Sequence, residues 1–197
     1  MSSSKTTLGL LRHGQTDWNI DLRLQGTADI PMNEFGREQI SKAARVLAKS
    51  QWDVLLSSPL GRAHESAKLV AQELGLEQVV TTDLLLERSF GVGEGLTYAE
   101  WQEKYAGLDQ IPGAESAAEV ARRSQILLEH IKSEYQGARV LAVSHGALIR
   151  FVLSEVTSGE IPPKGERLQN ASLHMIHHTA SWCLEAWAPD PLGEASN

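Results

Sequence analysis

Hydrophobic positions along this chain form two kinds of run, and the two alternate. Short apolar stretches stand at Leu8–Leu11, Trp52–Ser57 and Arg139–Ser144, with a shorter candidate at Val79–Thr82. Unbroken apolar runs of this length suit strands buried on both faces, the condition of a parallel sheet covered by helices. Between them, Ile40, Ala43, Ala44, Leu47 and Ala48 recur at helical spacing and predict a helix from Glu34 to about Lys49, with Asn33 as its N-cap. A second helix is predicted from the Ser58–Ala63 stretch to about Leu74, closed by Gly75. A short helix over Tyr98–Tyr105 follows, then a long one through Glu134 that Ser116 and Glu119 start as a capping box. A last helix is expected over Ala147–Val156, and two more strands over Ser172–His177 and Trp182–Ala186, joined around Thr179 and Ala180. Pro31 bars helix in the turn-rich Gln25–Pro31 stretch, and the glycines at 91, 93 and 95 mark Leu84–Gly95 as an irregular loop. Strand–helix alternation through Val156 predicts an α/β protein: a three-layer α/β/α sandwich with a mostly parallel sheet.

Length and composition narrow the class. The 197 residues suffice for one domain spanning 1–197, with a frayed tail expected at about Asp190–Asn197. A 42% apolar and 22% charged composition is that of a globular chain. The formal charge of −7, with no compensating Lys/Arg run, argues against a nucleic-acid or anionic-membrane partner. Cys183 is the lone cysteine, which excludes an intramolecular disulfide and fits a reducing compartment. Lying between Trp182 and Leu184, it is expected in the core rather than as a nucleophile. Met1–Thr7 carries no apolar segment of a secretory signal, and no run approaches the ~20 apolar residues of a membrane span, so the expected location is cytoplasmic. The apolar strands of the tail offer an edge on which a homodimer could form.

Candidate chemistry sits where strands end. Arg12, His13 and Gly14 directly follow the first strand, and ligands in open α/β sheets bind at strand C-termini. A guanidinium is a planar fork matched to phosphate. An imidazole with an unperturbed pKa near ~6.5 is neutral often enough to act as a nucleophile. A surface loop carrying the same residues is an equally good reading of the tripeptide alone. Arg62 stands in the first turn of a helix, where free N–H groups attract phosphate, although a solvated charge or a salt bridge is the commoner role there. Glu87 follows three leucines; partial desolvation raises a carboxyl pKa and suits a general acid, while pairing with Arg88 is the plainer alternative. His145, after the strongest strand, is either a ligand-facing residue or a satisfied core histidine. His174, His177 and His178 lack acidic or cysteine neighbours in sequence and are not expected to bind metal. His64 and His130 lie on helices and are expected to be exposed.

The segment Arg12-His13-Gly14-Gln15-Thr16-Asp17-Trp18-Asn19 resembles the RHG-x-T-x-W-N signature of the histidine phosphatase superfamily, the phosphoglycerate mutase-like family. Three later stretches agree with it in order. Ser57-Ser58-Pro59-Leu60-Gly61-Arg62-Ala63 matches S-S-P-x-x-R-A, and Leu85–Gly95 matches L-x-E-R-x-x-G-x-x-E-G. Ser144-His145-Gly146 matches the S/A-H-G of the second histidine, and Ser66 stands where the family commonly has threonine. The likeness extends over roughly residues 6 to 187.

It implies a phosphoglycerate mutase-like fold and a phosphatase working through a phosphohistidine on His13. Arg12 and Arg62 would hold the non-bridging oxygens, with His145 donating to another. Glu87 would protonate the leaving oxygen and then activate water, because Gly146, not an aspartate, follows His145. Gly14, Asn19, Gln25, Gly26 and Gly146 would line the phosphate pocket, Glu94 would be structural, and neither metal nor cofactor is required. The ligand implied is a small phosphorylated substrate or inorganic phosphate. The short interval from Glu87 to His145 leaves little room for a lid, favouring hydrolysis over phosphoglycerate mutase-type transfer on a small phosphorylated acid. A non-catalytic phospho-ligand binder is the third reading. Trp18, Ile20, Arg23, Tyr98 and Trp101 are candidates for the pocket mouth or, equally, for core packing.

Overall fold

The computed structural model describes residues 5–193. Its centre is a six-stranded sheet of order β3-β2-β4-β1-β5-β6. The strands are β1 (Thr6–Arg12), β2 (Val54–Ser57), β3 (Val80–Thr81), β4 (Arg139–Ser144), β5 (Leu173–His178) and β6 (Trp182–Ala186). β1–β4 run parallel, and β5 pairs antiparallel with both β1 and β6. The helices are α1 (Asp17–Ile20), α2 (Glu34–Leu47), α3 (Gly61–Leu74), α4 (Tyr98–Lys104), α5 (Ala117–Glu134) and α6 (Gly146–Val156).

Side chains alternate across the sheet, so each central strand feeds two cores. Leu8, Leu10, Leu56, Val140 and Ala142 pack under α5 and α6. Leu11, Leu55, Leu141 and Val143 pack under Ile40, Ala44, Ala67 and Val70 of α2 and α3. Helices on both faces bury the central parallel strands β1, β2 and β4, which is why those strands read as unbroken apolar runs, whereas the edge strand β3 is exposed.

Several expectations are corrected. α1 was not expected: Thr16 and Asn19 form a reciprocal capping box, a signal too short to register as periodicity. The Leu84–Gly95 loop contains two 3₁₀ turns, Asp83–Leu85 and Gly91–Gly93. Cys183 is exposed, because β6 is an edge strand on which Trp182 and Leu184 turn to the core and Cys183 to the other face. His64 and His130 are half-buried rather than exposed. The tail through Gly193 is tied down: Pro191 bridges Ser172, and the Leu192 N–H donates to the Ala171 carbonyl at 3.0 Å. Residues 194–197 of the expected frayed tail lie outside the described residues. No described helix is long and apolar enough to cross a membrane.

Candidate active site

The parallel strands end on one side of the sheet, and the predicted residues meet there. Arg12 ends β1 and His13 follows it; Arg62 opens α3 after β2; His145 is the N-cap of α6 after β4. Arg12, His13, Arg62 and Glu87 line one cavity of about 240 Å³.

His13 is almost fully buried, and its Nδ1 lies 2.7 Å from the carbonyl oxygen of Gly14. A carbonyl only accepts, so Nδ1 carries the proton and Nε2 keeps a free lone pair. Burial, reinforced by the charges of Arg62 and Arg12, holds the imidazole pKa well below its usual value. The ring is therefore neutral at physiological pH. A neutral ring with a free Nε2 lone pair has the chemistry of a nucleophile and needs no activating base.

Arg62 has no exposed surface and no carboxylate partner among the described residues; its guanidinium donates to the carbonyls of Ala28 and Gly26, both at 2.7 Å. The surface-charge and salt-bridge readings are thus excluded. Arg12 donates to the Leu168 carbonyl, and burial lowers its pKa to about 10 against the opposing pull of Glu87. His145 is fully buried, its ring 5.1 Å from that of His13 and its Nε2 2.8 Å from Ser58 Oγ. Burial and the neighbouring Arg62 charge push its pKa well below the usual histidine value. In each of these three residues one buried nitrogen has no partner among the described residues: Nε of Arg12, Nε of Arg62 and Nδ1 of His145. Buried polar atoms are normally satisfied. Arg12 and Arg62 line the cavity together with His13, and His145 lies against His13 outside that lining, so two buried guanidiniums with unused donors face a hollow suited to an anion.

Glu87 is half-buried, and both carboxyl oxygens are held by backbone. Oε1 accepts from the N–H groups of Arg88 (2.9 Å) and Leu148 (3.2 Å), and Oε2 from that of Ala147 (3.1 Å). The last two belong to the first turn of α6, whose unpaired N–H groups and positive dipole end receive a carboxylate. The alternative pairing with Arg88 does not occur: that guanidinium turns to Asp109 at 2.5 Å and to the Glu115 carbonyl. The loop bearing Glu87 is clamped by Arg123 of α5, which donates to the Leu86 carbonyl at 2.7 Å and pairs with both oxygens of Glu115.

Asn19, Gln25, Gly26 and Gly146 line the cavity. Gly14 does not. Its N–H is taken by Ser66 Oγ at 3.1 Å, and a Cβ there would meet the Gly36 carbonyl oxygen at 2.4 Å. Gly14 is a packing position beneath α2, not a surface offered to ligand. Gly26 adopts φ +56°, and a Cβ there would sit 2.1 Å from Glu94 Oε1. Glu94 accepts from the N–H groups of Thr27, Ala28 and Phe90, which ties the loop at 26–28 to the loop at 90–94. Of the mouth candidates, Trp18, Arg23 and Tyr98 line the cavity; Ile20 is exposed beyond it and Trp101 packs against the Leu24–Phe90–Ile111 cluster. Sequence reasoning passed over Ser58 on His145, Asn170 on the His13 carbonyl, and Arg123. Of these, only Ser58 stood inside a recognisable motif.

The family model of the histidine phosphatase superfamily (branch 1) matches residues 8–188. The chain belongs to this superfamily. Among its members, the uncharacterized phosphatase PhoE of Bacillus subtilis (strain 168) is 35% identical over 87% of this chain and 88% of its own length. The metal-independent phosphoserine phosphatase of Arabidopsis thaliana is 32% identical over 95% and 83%. A mycobacterial glucosyl-3-phosphoglycerate phosphatase, solved with VO3, superposes with a TM-score of 0.79 at 33% identity, covering 92% of this chain and 98% of its own. Probable phosphoglycerate mutases also match, that of Yersinia enterocolitica at 32% identity over 95% of this chain and 93% of its own length. Histidine phosphatases act on phosphate monoesters, and this chain is a phosphoric monoester hydrolase of that class.

Proposed function

We propose that this histidine phosphatase hydrolyses small phosphate monoesters through a phosphohistidine on His13 Nε2. The carrying observation is the Nδ1 hydrogen bond to Gly14, which leaves Nε2 bare on a ring that lines the same cavity as Arg12 and Arg62. In the first half-reaction Nε2 attacks phosphorus, the ester P–O bond breaks, and a proton from Glu87 passes to the departing alkoxide. In the second, Glu87 removes a proton from water, the water oxygen attacks phosphorus, and the P–N bond breaks to give inorganic phosphate and free His13. Arg12, Arg62 and His145 Nδ1 donate to the non-bridging oxygens. Such positioned donors each contribute typically ~10²–10³ in rate. The guanidiniums supply the positive charge at phosphorus, so the reading requires no metal ion.

Hydrolysis is favoured over return of the phosphoryl group to substrate because the cavity opens between exposed residues, Leu22 and Tyr98 among them, leaving water a route to the phosphohistidine. The free, exposed thiol of Cys183 supports a reducing, cytoplasmic setting. The test is a quench with a ³²P-labelled phosphate ester: an acid-labile, base-stable label on His13 is expected, and none on His13→Ala. Label at any other residue, or phosphate release undiminished in His13→Ala, refutes the assignment. Following 3-phosphoglycerate with phosphate release and isomerisation measured together separates the mutase reading, which requires isomerisation to dominate.

A further inference from the structure

Asn19 and Asn170, far apart in sequence, meet beside His13. Asn170 is buried, and its Nδ2 donates to the His13 carbonyl at 3.0 Å and to Asn19 Oδ1 at 3.1 Å. A carbonyl only accepts, so the Asn170 atom facing His13 is nitrogen, and both of its hydrogens are then in use. The Asn19 atom facing that nitrogen is in turn oxygen. The Thr16 N–H donates to the same oxygen at 3.1 Å, which fixes the orientation a second time. With its oxygen held by two donors, Asn19 is left with its NH₂ for the cavity it lines beside Arg12, His13 and Gln25. That NH₂ has no hydrogen-bond partner among the described residues.

The chain bends to bring Asn170 to this place. Ala171 adopts φ +59°, a left-handed conformation that residues with a Cβ rarely take. In that bend the Ala171 N–H reaches the Arg12 carbonyl at 3.1 Å, and the Arg12 N–H donates to the Ser172 carbonyl at 3.0 Å. On the other side of Asn170, the Arg12 guanidinium holds the Leu168 carbonyl. Residues 168–172 are thus stapled to the end of β1 on both sides of Asn170. Strained backbone persists where its surroundings over-determine it, and such places cluster at reacting centres. Asn170 itself lies outside the cavity lining, so it reaches a ligand only through its neighbours.

An unrestrained carboxamide offers either its NH₂ or its oxygen to whatever it faces. Toward a phosphoryl group the first attracts and the second repels. Building on the phosphatase reading, we infer that Asn170 is a positioning residue, which locks the Asn19 carboxamide with its NH₂ toward the phosphoryl group. Asn19 then donates to a non-bridging oxygen as charge gathers there, with its orientation already chosen. Neither asparagine moves a proton. The pair supplies a neutral donor beside the two guanidiniums.

A double-mutant cycle on kcat/KM for p-nitrophenyl phosphate tests this. Inhibition by vanadate, whose five-coordinate adduct resembles the transition state, is measured beside inhibition by inorganic phosphate, which does not resemble it. Asn170→Asp keeps the shape but sets an acceptor against two acceptors, so Asn19 turns its oxygen to the cavity. The expected fall in kcat/KM is about 10²-fold, the scale of one positioned donor, and chiefly in kcat. Asn170→Ala leaves the Thr16 N–H on Asn19 and is expected to lower kcat/KM by about tenfold. Vanadate inhibition weakens in proportion, and phosphate inhibition by under about threefold. In an Asn19→Ala background either substitution at 170 is expected to cost under about threefold, because the group it acts through is gone.

Equal losses with and without the Asn19 side chain overturn the proposal, make Asn170 a support of the His13 backbone alone, and leave the phosphatase reading standing. Vanadate and phosphate inhibition weakened alike overturn it too. Should both variants at 170 fail to fold by circular dichroism, wild type decides. The Asn19 side-chain NH₂ signals in a ¹⁵N–¹H spectrum, identified by their loss in Asn19→Ala, are expected to shift when vanadate binds; unmoved signals overturn the proposal. Absence of turnover on every ester removes the phosphatase reading, and this role with it.

Discussion

Replacing Glu87 by glutamine keeps the shape of the side chain and removes its proton chemistry. The carboxyl accepts three backbone N–H bonds, two on Oε1 and one on Oε2. An amide has one oxygen, so whichever way it lies, its NH₂ confronts at least one N–H donor. An unmet donor costs ~1–3 kcal/mol, and the half-buried position puts the cost near the lower end. That is a modest loss of stability. The kinetic loss is larger, because general acid–base catalysis contributes about 10²–10⁴-fold, or roughly 3–5 kcal/mol of barrier.

The two half-reactions distribute this loss differently. In the proposed mechanism kcat/KM reports phosphorylation of His13, where an alkyl leaving group needs the proton and p-nitrophenolate does not. Glu87→Gln is therefore expected to lower kcat/KM for glycerol 3-phosphate by about 10²-fold or more, and for p-nitrophenyl phosphate by under about tenfold. Water attack needs the base with either ester. Stopped-flow mixing with p-nitrophenyl phosphate should then give a burst of nitrophenolate close to the enzyme concentration, followed by slow turnover. Equal falls in kcat/KM for both esters, with circular dichroism unchanged, would refute the acid role of Glu87.

Three other outcomes follow from the same geometry. Burial holds His13, His145 and His174 below the usual histidine pKa, His174 at about 4, so below pH 6.5 the unfolded chain takes up protons that the folded one refuses. Stability is whole above that pH and falls as pH drops toward 5, by at most ~1.4 kcal/mol per pH unit per histidine; urea melts at pH 7.5, 6.0 and 5.0 should show it, with a slope about one proton shallower in His174→Gln, and a flat profile would contradict it. Gly14→Ala drives a methyl into the Gly36 carbonyl and is expected to cost ~1–3 kcal/mol, read as a lowered Tm, together with lost turnover because the Gly14 carbonyl sets the His13 tautomer. Arg123→Gln frees the Leu86 carbonyl and should reproduce the leaving-group pattern of Glu87→Gln in weaker form, with partial rescue by lysine; equal effects on both esters would mark Arg123 as merely structural.

Much of this protein was legible without coordinates, and for a local reason. Burial on both faces of a parallel strand forces an unbroken apolar run, so β1, β2 and β4 announced themselves, and the long helices followed from spacing and from caps such as Ser116 with Glu119. Arg12, His13, Arg62 and His145 could be nominated because strand C-termini in such a sheet all open on one side. Edge elements were less legible. β6 is covered on one face only, so Cys183 sits outside although its neighbours Trp182 and Leu184 are apolar.

The chain by itself determined the order of elements and which reactive groups stand at strand ends, since both are written in nearest-neighbour patterns. Only the tertiary structure decided what those groups can do. The neutrality of His13 comes from burial and from the charge of Arg62, far along the chain. The seat of Glu87 is supplied by the N–H groups of Ala147 and Leu148, and the partner of Arg88 proved to be Asp109 rather than its neighbour in sequence. Gly14 serves packing against Gly36, a contact no spacing rule encodes. Protonation state, tautomer and hydrogen-bond supply are properties of the surroundings of an atom, and folding assembles those surroundings from residues that sequence keeps apart.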